Sequence, residues 1–308
     1  MNKKRILFVI GDIGGGHRST SSAIATALHD AYPGKFETEI VDIFTESESF
    51  WDWALKESYS LSSNKLIWMY AISYWSSDFP KLMRFLTEFT SSKIVDRMKK
   101  YLKREKPDII ISVHPFTTNP IINARNSAGL DIPVVTVVSD PYTGHSSWLC
   151  DDRSDIFVFF SELAKIRAEM NGIASKKAFV TQIPVKPIFN NPLPEDKKKE
   201  WINKIKIDPN KLTILMAGGG EGLRGSIPII NKLNKFQVKP NILVVCGRNK
   251  DMYRDMKIIS AEHSNVKPFG FIDFMYELMN LSDIIVLKAG TATIAEALLL
   301  EKVIIINS

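Results

Sequence analysis

Ten short apolar runs, most of them rich in Ile and Val, recur along the chain, and most of the intervals between them are long enough for a helix. The runs occupy residues 6–10, 39–43, 108–113, 134–138, 156–160, 212–216, 242–245, 265–269, 284–287 and 303–306. Continuous apolar runs are typical of strands buried on both faces, and helical intervals supply the crossovers that join parallel strands. The sequence therefore predicts an α/β fold built on parallel sheets.

A proline-rich segment divides these runs into two groups of five. Residues 182–199 contain four prolines followed by two acids and three lysines, a composition typical of a linker. A chain of 308 residues has room for two domains of ordinary size, and we expect two tandem Rossmann-like domains at residues 1–187 and 188–308. A doubly wound sheet normally needs a further helix to cover its last strand, so the second domain is expected to be truncated at Ser308.

Composition excludes several classes of protein. Apolar residues make up 45% of the chain and charged residues 24%, which are ordinary values for a globular protein and exclude a disordered one. The two cysteines, Cys150 and Cys246, lie far apart without metal-ligand spacing, which indicates a reducing compartment. The N-terminal apolar run is too short for a signal peptide, and no run is long enough for a membrane span. We therefore expect any membrane contact to be peripheral and on the cytoplasmic face.

The first apolar run leads into a glycine-rich segment, GDIGGGHR at residues 11–18. A strand, a glycine turn and a helix start together favour anion binding, because backbone N–H groups and the helix dipole point towards the ligand. His17 directly follows Gly15 and Gly16, so its ring can approach a substrate closely, as a general base must. The alternative is an ordinary tight turn. The spacing is that of neither a P-loop nor a dinucleotide-binding loop, and Asp42 is expected to be only a strand-end residue.

Two further segments follow predicted strands in the second half of the chain. GGGEG at residues 218–222 suits a diphosphate, with a solvent-exposed turn as the alternative. KAGTATIAEA at residues 288–297 places Thr291 and Thr293 at a helix start, where they could bind phosphate, and Glu296 could accept both hydroxyls of a ribose. The alternative for this last segment is a threonine N-cap with a glutamate in the first turns, which needs no ligand.

Aromatic residues are concentrated between the second and third predicted strands. Residues 50–89 hold 11 of the 31 aromatic side chains. Because Trp and Tyr favour the headgroup layer, this segment is expected to hold the acceptor and dock on a membrane, with an aromatic core as the alternative. Its tryptophans are Trp51, Trp53, Trp68 and Trp75. Residues 93–106 follow with seven cations against two acids at helical spacing, which suits either anionic lipid or a solvated helix face.

A series of motifs spans essentially the whole chain in a fixed order. They are GGGHR, His114-Pro115, Ser139-Asp140 with His145 and Trp148 downstream, GGGEG, Cys246-Gly247-Arg248-Asn249, Phe269-Gly270-Phe271 and KAGTATIAEA. In this order they resemble the monogalactosyldiacylglycerol synthases and the related processive diacylglycerol glucosyltransferases. Those enzymes belong to glycosyltransferase family 28, together with the peptidoglycan GlcNAc transferase.

The resemblance implies a GT-B fold whose C-terminal domain binds a UDP-sugar and whose N-terminal domain binds the acceptor. Gly219, Gly220 and Glu221 would lie near the diphosphate and sugar, the backbone around Phe271 would read uracil, Gly290, Thr291 and Thr293 would hold phosphate, Glu296 would hold the ribose, and Arg248 and Lys288 would neutralise the leaving UDP. Plant members usually carry Pro-Gly where this chain has Thr291-Ala292, and the Pro-Gly-Gln-Glu segment of the family is expected after Ser308.

On the acceptor side the resemblance implies His17 as the catalytic base, with Asp140 as its partner or as the alternative base. The residues expected around the acceptor or the membrane are Gly15, Gly16, His114, His145, Trp148 and the four tryptophans of residues 50–89.

These observations predict an inverting transfer of galactose or glucose from a UDP-sugar to diacylglycerol, giving a β-glycosyl-diacylglycerol. No Asp-x-Asp occurs in the sequence, so no metal and no other cofactor is expected, and helix N-termini and cations are expected to stabilise the departing UDP. Diacylglycerol and anionic membrane lipids are the expected partners. Nucleic acid is not expected, because glycine loops and acids are predicted to line the site. Two alternatives remain, a GlcNAc transferase acting on a polyprenyl-linked acceptor and a truncated, non-catalytic protein that binds UDP or lipid.

Overall fold

The computed structural model describes residues 3–11, 15–44, 78–79, 92–142 and 144–307. The chain divides into two compact units, Met1–Pro184 and Val185–Ser308. This division falls three residues before the boundary that the proline-rich segment suggests. Each unit has its own sheet and its own core.

The first unit is built on a six-stranded parallel sheet. Its strands are β1 (Lys4–Ile10), β2 (Phe36–Asp42), β3 (Ile109–Ser112), β4 (Val134–Val137), β5 (Ile156–Phe159) and β6 (Ala178–Val180), in the order β2-β1-β3-β4-β5-β6. The helices described in this unit are α1 (Gly16–Ala31), α2 (Ser92–Glu105), α3 (Thr118–Ala128), α4 (Ser146–Leu149) and α5 (Glu162–Met170), with a 3-10 turn at Ser175–Lys177.

Strand β1 shows why the apolar runs are continuous. Leu7 and Val9 pack into the core on one face of the sheet, whereas Ile6, Phe8 and Ile10 pack into the core on the other face. A strand covered on both faces has no position for a polar side chain, so the alternation seen in half-exposed strands is lost. From β1 the chain continues to β2 on one side of it, and β3 then lies on the other side of β1. The order of the strands reverses between β1 and β3, so the loops that follow these two strands meet at the switch point of the sheet.

The second unit has a five-stranded parallel sheet. Its strands are β7 (Thr213–Ala217), β8 (Asn241–Val245), β9 (Val266–Phe269), β10 (Ile284–Leu287) and β11 (Val303–Ile306), in the order β11-β10-β7-β8-β9. Its helices are α6 (Glu195–Ile205), α7 (Ser226–Leu233), α8 (Lys250–Glu262), α9 (Met275–Leu281) and α10 (Thr291–Leu299), with 3-10 turns at Pro187–Asn190 and Gly219–Glu221. The switch point of this sheet lies between β7 and β10.

The structure confirms the predicted α/β fold of two parallel sheets and all ten predicted strands. It adds β6, an edge strand whose apolar run is only three residues long and on which Phe179 is half exposed. The prediction of a linker extending to residue 199 was wrong. Phe189 and Leu193 are buried in the core of the second unit, and α6 already begins at Glu195. Within the described ranges, none of the helices combines the length and apolarity needed to cross a membrane.

Candidate functional site

The glycine-rich loop after β7 is closely packed on one side and open on the other. A Cβ at Gly218 would overlap the backbone of Gly222, and a Cβ at Gly222, where φ is +72°, would overlap the sulfur of Met252. Within the described part of the chain, no atom lies within 4 Å of the Cβ positions of Gly219 and Gly220. Gly218 and Gly222 are therefore required for the loop to pack against its neighbours. Gly219 and Gly220, by contrast, leave room for a ligand at the carboxyl edge of the sheet.

The loop after β8 lies directly beside this glycine loop. At Gly247 φ is +61°, and a Cβ there would overlap the carbonyl of Gly220. The backbone N–H of Arg248 donates a hydrogen bond of 2.6 Å to that same carbonyl. The guanidinium carbon of Arg248 lies 4.7 Å from the ring centroid of Phe271, which follows β9 and is 66% exposed. Adjacent strand ends thus bring an arginine and an aromatic ring to the glycine loop.

The loop after β10 approaches the glycine loop from the other side. Ala217 pairs with Leu287 in the sheet, so Gly218 and Lys288 leave neighbouring strands at the same level. Lys288 is exposed, and helix α10 begins at Thr291 with Gly290 as its N-cap residue and without a side-chain cap hydrogen bond. The alternative of a threonine N-cap is therefore wrong. Thr291 and Thr293 are half-buried in the first turn, whose N–H groups donate to no capping side chain at Gly290.

Glu296 is a half-buried carboxylate in α10. Burial raises its pKa to about 7, and the charge of Lys186 opposes this rise only partly. Across the described ranges no side chain or backbone N–H group donates a hydrogen bond to its carboxylate. The side chain can therefore accept hydrogen bonds from the hydroxyls of a ligand. Glu221, by contrast, is exposed at the end of the glycine loop.

In the first unit the ring of His17 is the centre of a second cluster. His17 lies in the first turn of α1, after Gly15, whose φ is +82°, and none of the described residues has an atom within 4 Å of the Cβ positions of Gly15 and Gly16. The Nδ1 atom of His17 lies 3.2 Å from the Oγ atom of Ser139, which follows β4. Its ring lies 4.6 Å from that of His114, edge to face, and 6.0 Å from that of Trp148.

His114 forms a buried wall of this cluster. Its Nδ1 atom accepts a hydrogen bond of 3.2 Å from the backbone N–H of Phe116. Burial, and secondarily the charge of His17, hold the pKa of His114 well below 6.5, so the ring is neutral. Only a glycine fits at residue 11, because a Cβ there would lie 2.7 Å from Phe44 and 3.0 Å from the His114 ring.

Asp140 and His145 together form the loop between β4 and α4. The carboxylate of Asp140 accepts hydrogen bonds from the backbone N–H groups of Tyr142, at 3.1 Å, and His145, at 3.3 Å. His145 is buried and caps α4 by accepting a hydrogen bond from the N–H of Ser147. The side chain that lies within hydrogen-bond distance of the His17 ring on this loop is that of the neighbouring Ser139, and the partnership of Asp140 with His17 stays a prediction.

Ser139 was not among the residues predicted to have a role in the site. The available signal was its place at the carboxyl end of β4, because strand-end loops on one edge of a parallel sheet converge. Sequence alone does not show which of two adjacent polar side chains, Ser139 or Asp140, points towards His17.

The remaining predicted residues divide into two groups. Trp51, Trp53, Trp68 and Trp75 lie outside the described residues. The predicted basic helix is α2, which buries Met98 and Leu102 in the core. Most of its cations are exposed, and Arg104 pairs with Glu105. In the part of the chain that the structure describes, no group of three or more His, Cys, Asp or Glu side chains is arranged to hold a metal ion.

Solved structures with the same fold include Anabaena HepE in complex with UDP and glucose, and Staphylococcus aureus MnaA in complex with UDP. The TM-scores are 0.58 and 0.60, at 14% identity in both cases. The matches cover 98% of this chain and 80% and 79% of the respective structures. At this identity the likeness concerns the fold, and it confirms the predicted GT-B class.

Two curated relatives show the extent of the sequence similarity. The chain is 32% identical to the probable chloroplastic monogalactosyldiacylglycerol synthase of Nicotiana tabacum, over 99% of this chain and 58% of the relative. It is 27% identical to the processive diacylglycerol β-glucosyltransferase of Staphylococcus carnosus, over 96% of this chain and 73% of the relative. The chain thus spans little more than half the length of the plant relatives that it matches.

Two family profiles match the chain. The glycosyltransferase family 28 C-terminal domain matches residues 213–306, which contain the glycine loop, Arg248, Phe271 and Glu296. The monogalactosyldiacylglycerol (MGDG) synthase family matches residues 17–185, from His17 to the end of the first unit. Because this second match alone covers more than half of the 308 residues, the chain belongs to the monogalactosyldiacylglycerol synthase family.

Proposed function

We propose that the chain is an inverting glycosyltransferase that moves galactose or glucose from a UDP-sugar to diacylglycerol, producing a β-glycosyl-diacylglycerol. The observation that carries this proposal is that three strand-end loops of the second unit meet the glycine loop after β7 at the carboxyl edge of the sheet. These loops follow β8, β9 and β10, and they contribute cations, a helix start without a side-chain cap and an aromatic ring. Family membership supplies the reaction class.

The donor is assigned to this open site. Gly219 and Gly220 leave room for the diphosphate, and the N–H groups at the start of α10, with the hydroxyls of Thr291 and Thr293, provide donors for it. The carboxylate of Glu296 accepts the ribose hydroxyls. The backbone beside Phe271 contacts the uracil. The guanidinium of Arg248, which stacks on the Phe271 ring, lies beside this contact.

Negative charge that develops on the leaving UDP is stabilised by positive groups of this chain. Arg248 and Lys288 are exposed beside the glycine loop, and α10 directs the positive end of its dipole towards the same place. Such groups act as an alternative to a bridging metal ion. The proposed reaction therefore needs no metal, and chelators are expected to leave its rate unchanged.

The acceptor is assigned to the first unit, where His17 is the proposed base. Its ring removes the proton from the acceptor hydroxyl as that oxygen attacks the anomeric carbon. A single displacement of this kind inverts an α-linked donor to a β-glycoside. His114 and Trp148 form apolar surfaces beside the base, and Gly15 and Gly16 leave space for the acceptor.

We further propose that the protein works as a peripheral protein on the cytoplasmic face of a membrane, because diacylglycerol resides in the bilayer. The support is the aromatic-rich sequence of residues 50–89 and the exposed cations of α2, among them Lys93, Lys100 and Lys103. Exposed cations attract anionic lipids by about 1 kcal/mol each when they lie near the surface.

Competition between donors and acceptors tests this proposal against its alternatives. The protein is incubated with UDP-galactose, UDP-glucose and UDP-GlcNAc together, in vesicles that contain both diacylglycerol and a polyprenyl diphosphate-linked sugar. A hexosyl-diacylglycerol as the main product supports the proposal and names the sugar. Transfer of GlcNAc to the polyprenyl-linked acceptor contradicts it, and binding of UDP without any product supports the non-catalytic alternative.

A further inference from the structure

One hydrogen bond connects the proposed base with a residue that lies 122 positions away in sequence. The Oγ atom of Ser139 is 3.2 Å from the Nδ1 atom of His17, and both residues are half-buried at the carboxyl edge of the first sheet. His17 reaches from the loop after β1 and Ser139 from the loop after β4, so the contact joins two strand ends that are not neighbours in the sheet.

The identity of the atoms in this contact has a chemical consequence. A neutral imidazole carries one N–H group and one lone pair, on different nitrogens, and a hydroxyl can either accept from the first or donate to the second. When Ser139 accepts a hydrogen bond from Nδ1–H, the lone pair lies on Nε2, and Nε2 can act as a base. When Ser139 donates to Nδ1, Nε2 carries the proton and the ring cannot act as a base through that atom.

Three described polar residues near the ring make contacts of their own. Asp140 uses its carboxylate to accept backbone N–H groups of its own loop, and His145 caps α4. His114 accepts from the N–H of Phe116 through Nδ1, and its ring meets that of His17 edge to face. Ser139 has its hydroxyl within hydrogen-bond distance of Nδ1 of His17, which is a position from which a residue can orient the base.

We propose that Ser139 is a positioning residue that accepts the hydrogen bond from Nδ1–H of His17 and so places the lone pair of the base on Nε2. This inference rests on the proposed function. In the reaction, Nε2 takes the proton of the acceptor hydroxyl while the hydroxyl oxygen bonds to the anomeric carbon. The bond from that carbon to UDP breaks, and its electron pair leaves with the diphosphate. The resulting imidazolium keeps its Nδ1–H bond to Ser139.

The tautomer can be measured without substrate. Protein labelled with 15N at histidine gives nitrogen shifts that distinguish Nδ1–H from Nε2–H rings, and the signals that His17→Ala removes identify His17. We expect the Nδ1–H tautomer for His17 in the wild-type protein and in Ser139→Thr, and a mixture or the Nε2–H form in Ser139→Ala. A wild-type His17 in the Nε2–H form, or a tautomer that Ser139→Ala leaves unchanged, overturns the inference.

Kinetics provide the second test, with Ser127→Ala as the matched control. Ser127 lies on α3, and its hydroxyl donates to the carbonyls of Asn123 and Ala124, so this variant also loses one hydroxyl and its hydrogen bonding. We expect Ser139→Ala to lower kcat about 10-fold or more, the scale of a lost hydrogen bond to a charged group, with little change in the KM for the donor. Ser139→Thr restores kcat, and Ser127→Ala matches the wild type.

Equal kcat values for Ser139→Ala and Ser127→Ala contradict the positioning role. A failure of the proposed function gives a different pattern, because the wild-type protein then forms no glycolipid while the tautomer of His17 still reports on Ser139.

Discussion

Gly247 packs directly against the carbonyl of Gly220, and the two glycines differ in what surrounds the position of a Cβ atom. At Gly247 that position is filled by the neighbouring loop, and φ is +61°. At Gly220 no atom of the residues that the structure describes lies within 4 Å of that position. Substitution by alanine therefore tests the packing of the loop at Gly247 and the space for a ligand at Gly220.

We predict that Gly247→Ala destabilises the protein and that Gly220→Ala weakens donor binding without loss of stability. A left-handed backbone costs a non-glycine residue about 1–3 kcal/mol, and the overlap with Gly220 adds to this, so the melting temperature should fall by roughly 5 °C or more. Gly220→Ala should keep the wild-type melting temperature but lower the affinity for UDP on the order of 10-fold, as measured by calorimetry. UDP affinity equal to that of the wild type in a folded Gly220→Ala variant would remove the diphosphate from this loop.

We predict that Glu296→Gln stabilises the protein in a pH-dependent manner. Burial raises the folded-state pKa of Glu296 from 4.5 to about 7. Between these two values the unfolded chain loses the proton of this carboxyl while the folded chain keeps it, so folding stability falls as the pH rises through this window. Glutamine has no proton to lose and avoids this cost. The gain in melting temperature over the wild type should be small near pH 4.5 and reach a plateau above pH 7.

The same variant should bind UDP more weakly. A carboxylate can accept both ribose hydroxyls, one on each oxygen, whereas an amide has one accepting oxygen and an NH2 group that only donates. Thermal unfolding at pH 5 and pH 8, with and without UDP, measures both effects. A stabilisation that is equal at both pH values would show that the carboxyl of Glu296 titrates normally in the folded protein.

The fold could be predicted largely from the sequence because strands that are buried on both faces appear in it as continuous apolar runs. Strands such as β1 and β10 contain only residues that suit a buried sheet, apart from the cations that open β1, and glycine turns mark their carboxyl ends. Strand β6 was not predicted because its apolar run is only three residues long. As an edge strand it buries only one of these side chains fully. The segment before α6 was misassigned because the burial of Phe189 and Leu193 depends on tertiary contacts.

The residues of the candidate sites could be predicted from their chemical type, but the contacts between them could not. The sequence indicates that His17 and Glu296 are chemically suited to their roles, since each follows a strand and a glycine turn. The contact between His17 and Ser139 depends on how two distant loops meet, and the stacking of Arg248 on Phe271 depends on the order of β8 and β9 in the sheet. Sheet order is a tertiary property that local patterns do not encode.

We predict that neutralising two exposed cations of α2 weakens binding to anionic vesicles. Lys100→Gln with Lys103→Gln removes two charges, and at about 1 kcal/mol each the affinity should fall roughly 30-fold at low salt. Lys232→Gln with Lys235→Gln is the matched control, because it removes two exposed charges at and after the end of α7 in the other unit. Cosedimentation with vesicles of anionic and of neutral lipid measures the effect. An equal loss in both double variants would show that only net charge matters and that α2 is a solvated face.

The central claim is that His17 is the base of an inverting transfer to diacylglycerol. The most direct measurement is the amount and the anomeric configuration of glycosyl-diacylglycerol formed from the α-linked UDP-hexose by the wild-type protein and by His17→Ala, at saturating donor. We predict a β-glycoside from the wild type, a turnover lower by roughly 10²-fold or more in the variant, and nearly equal UDP affinity in both. An α-glycoside, or near wild-type turnover without His17, would contradict the account.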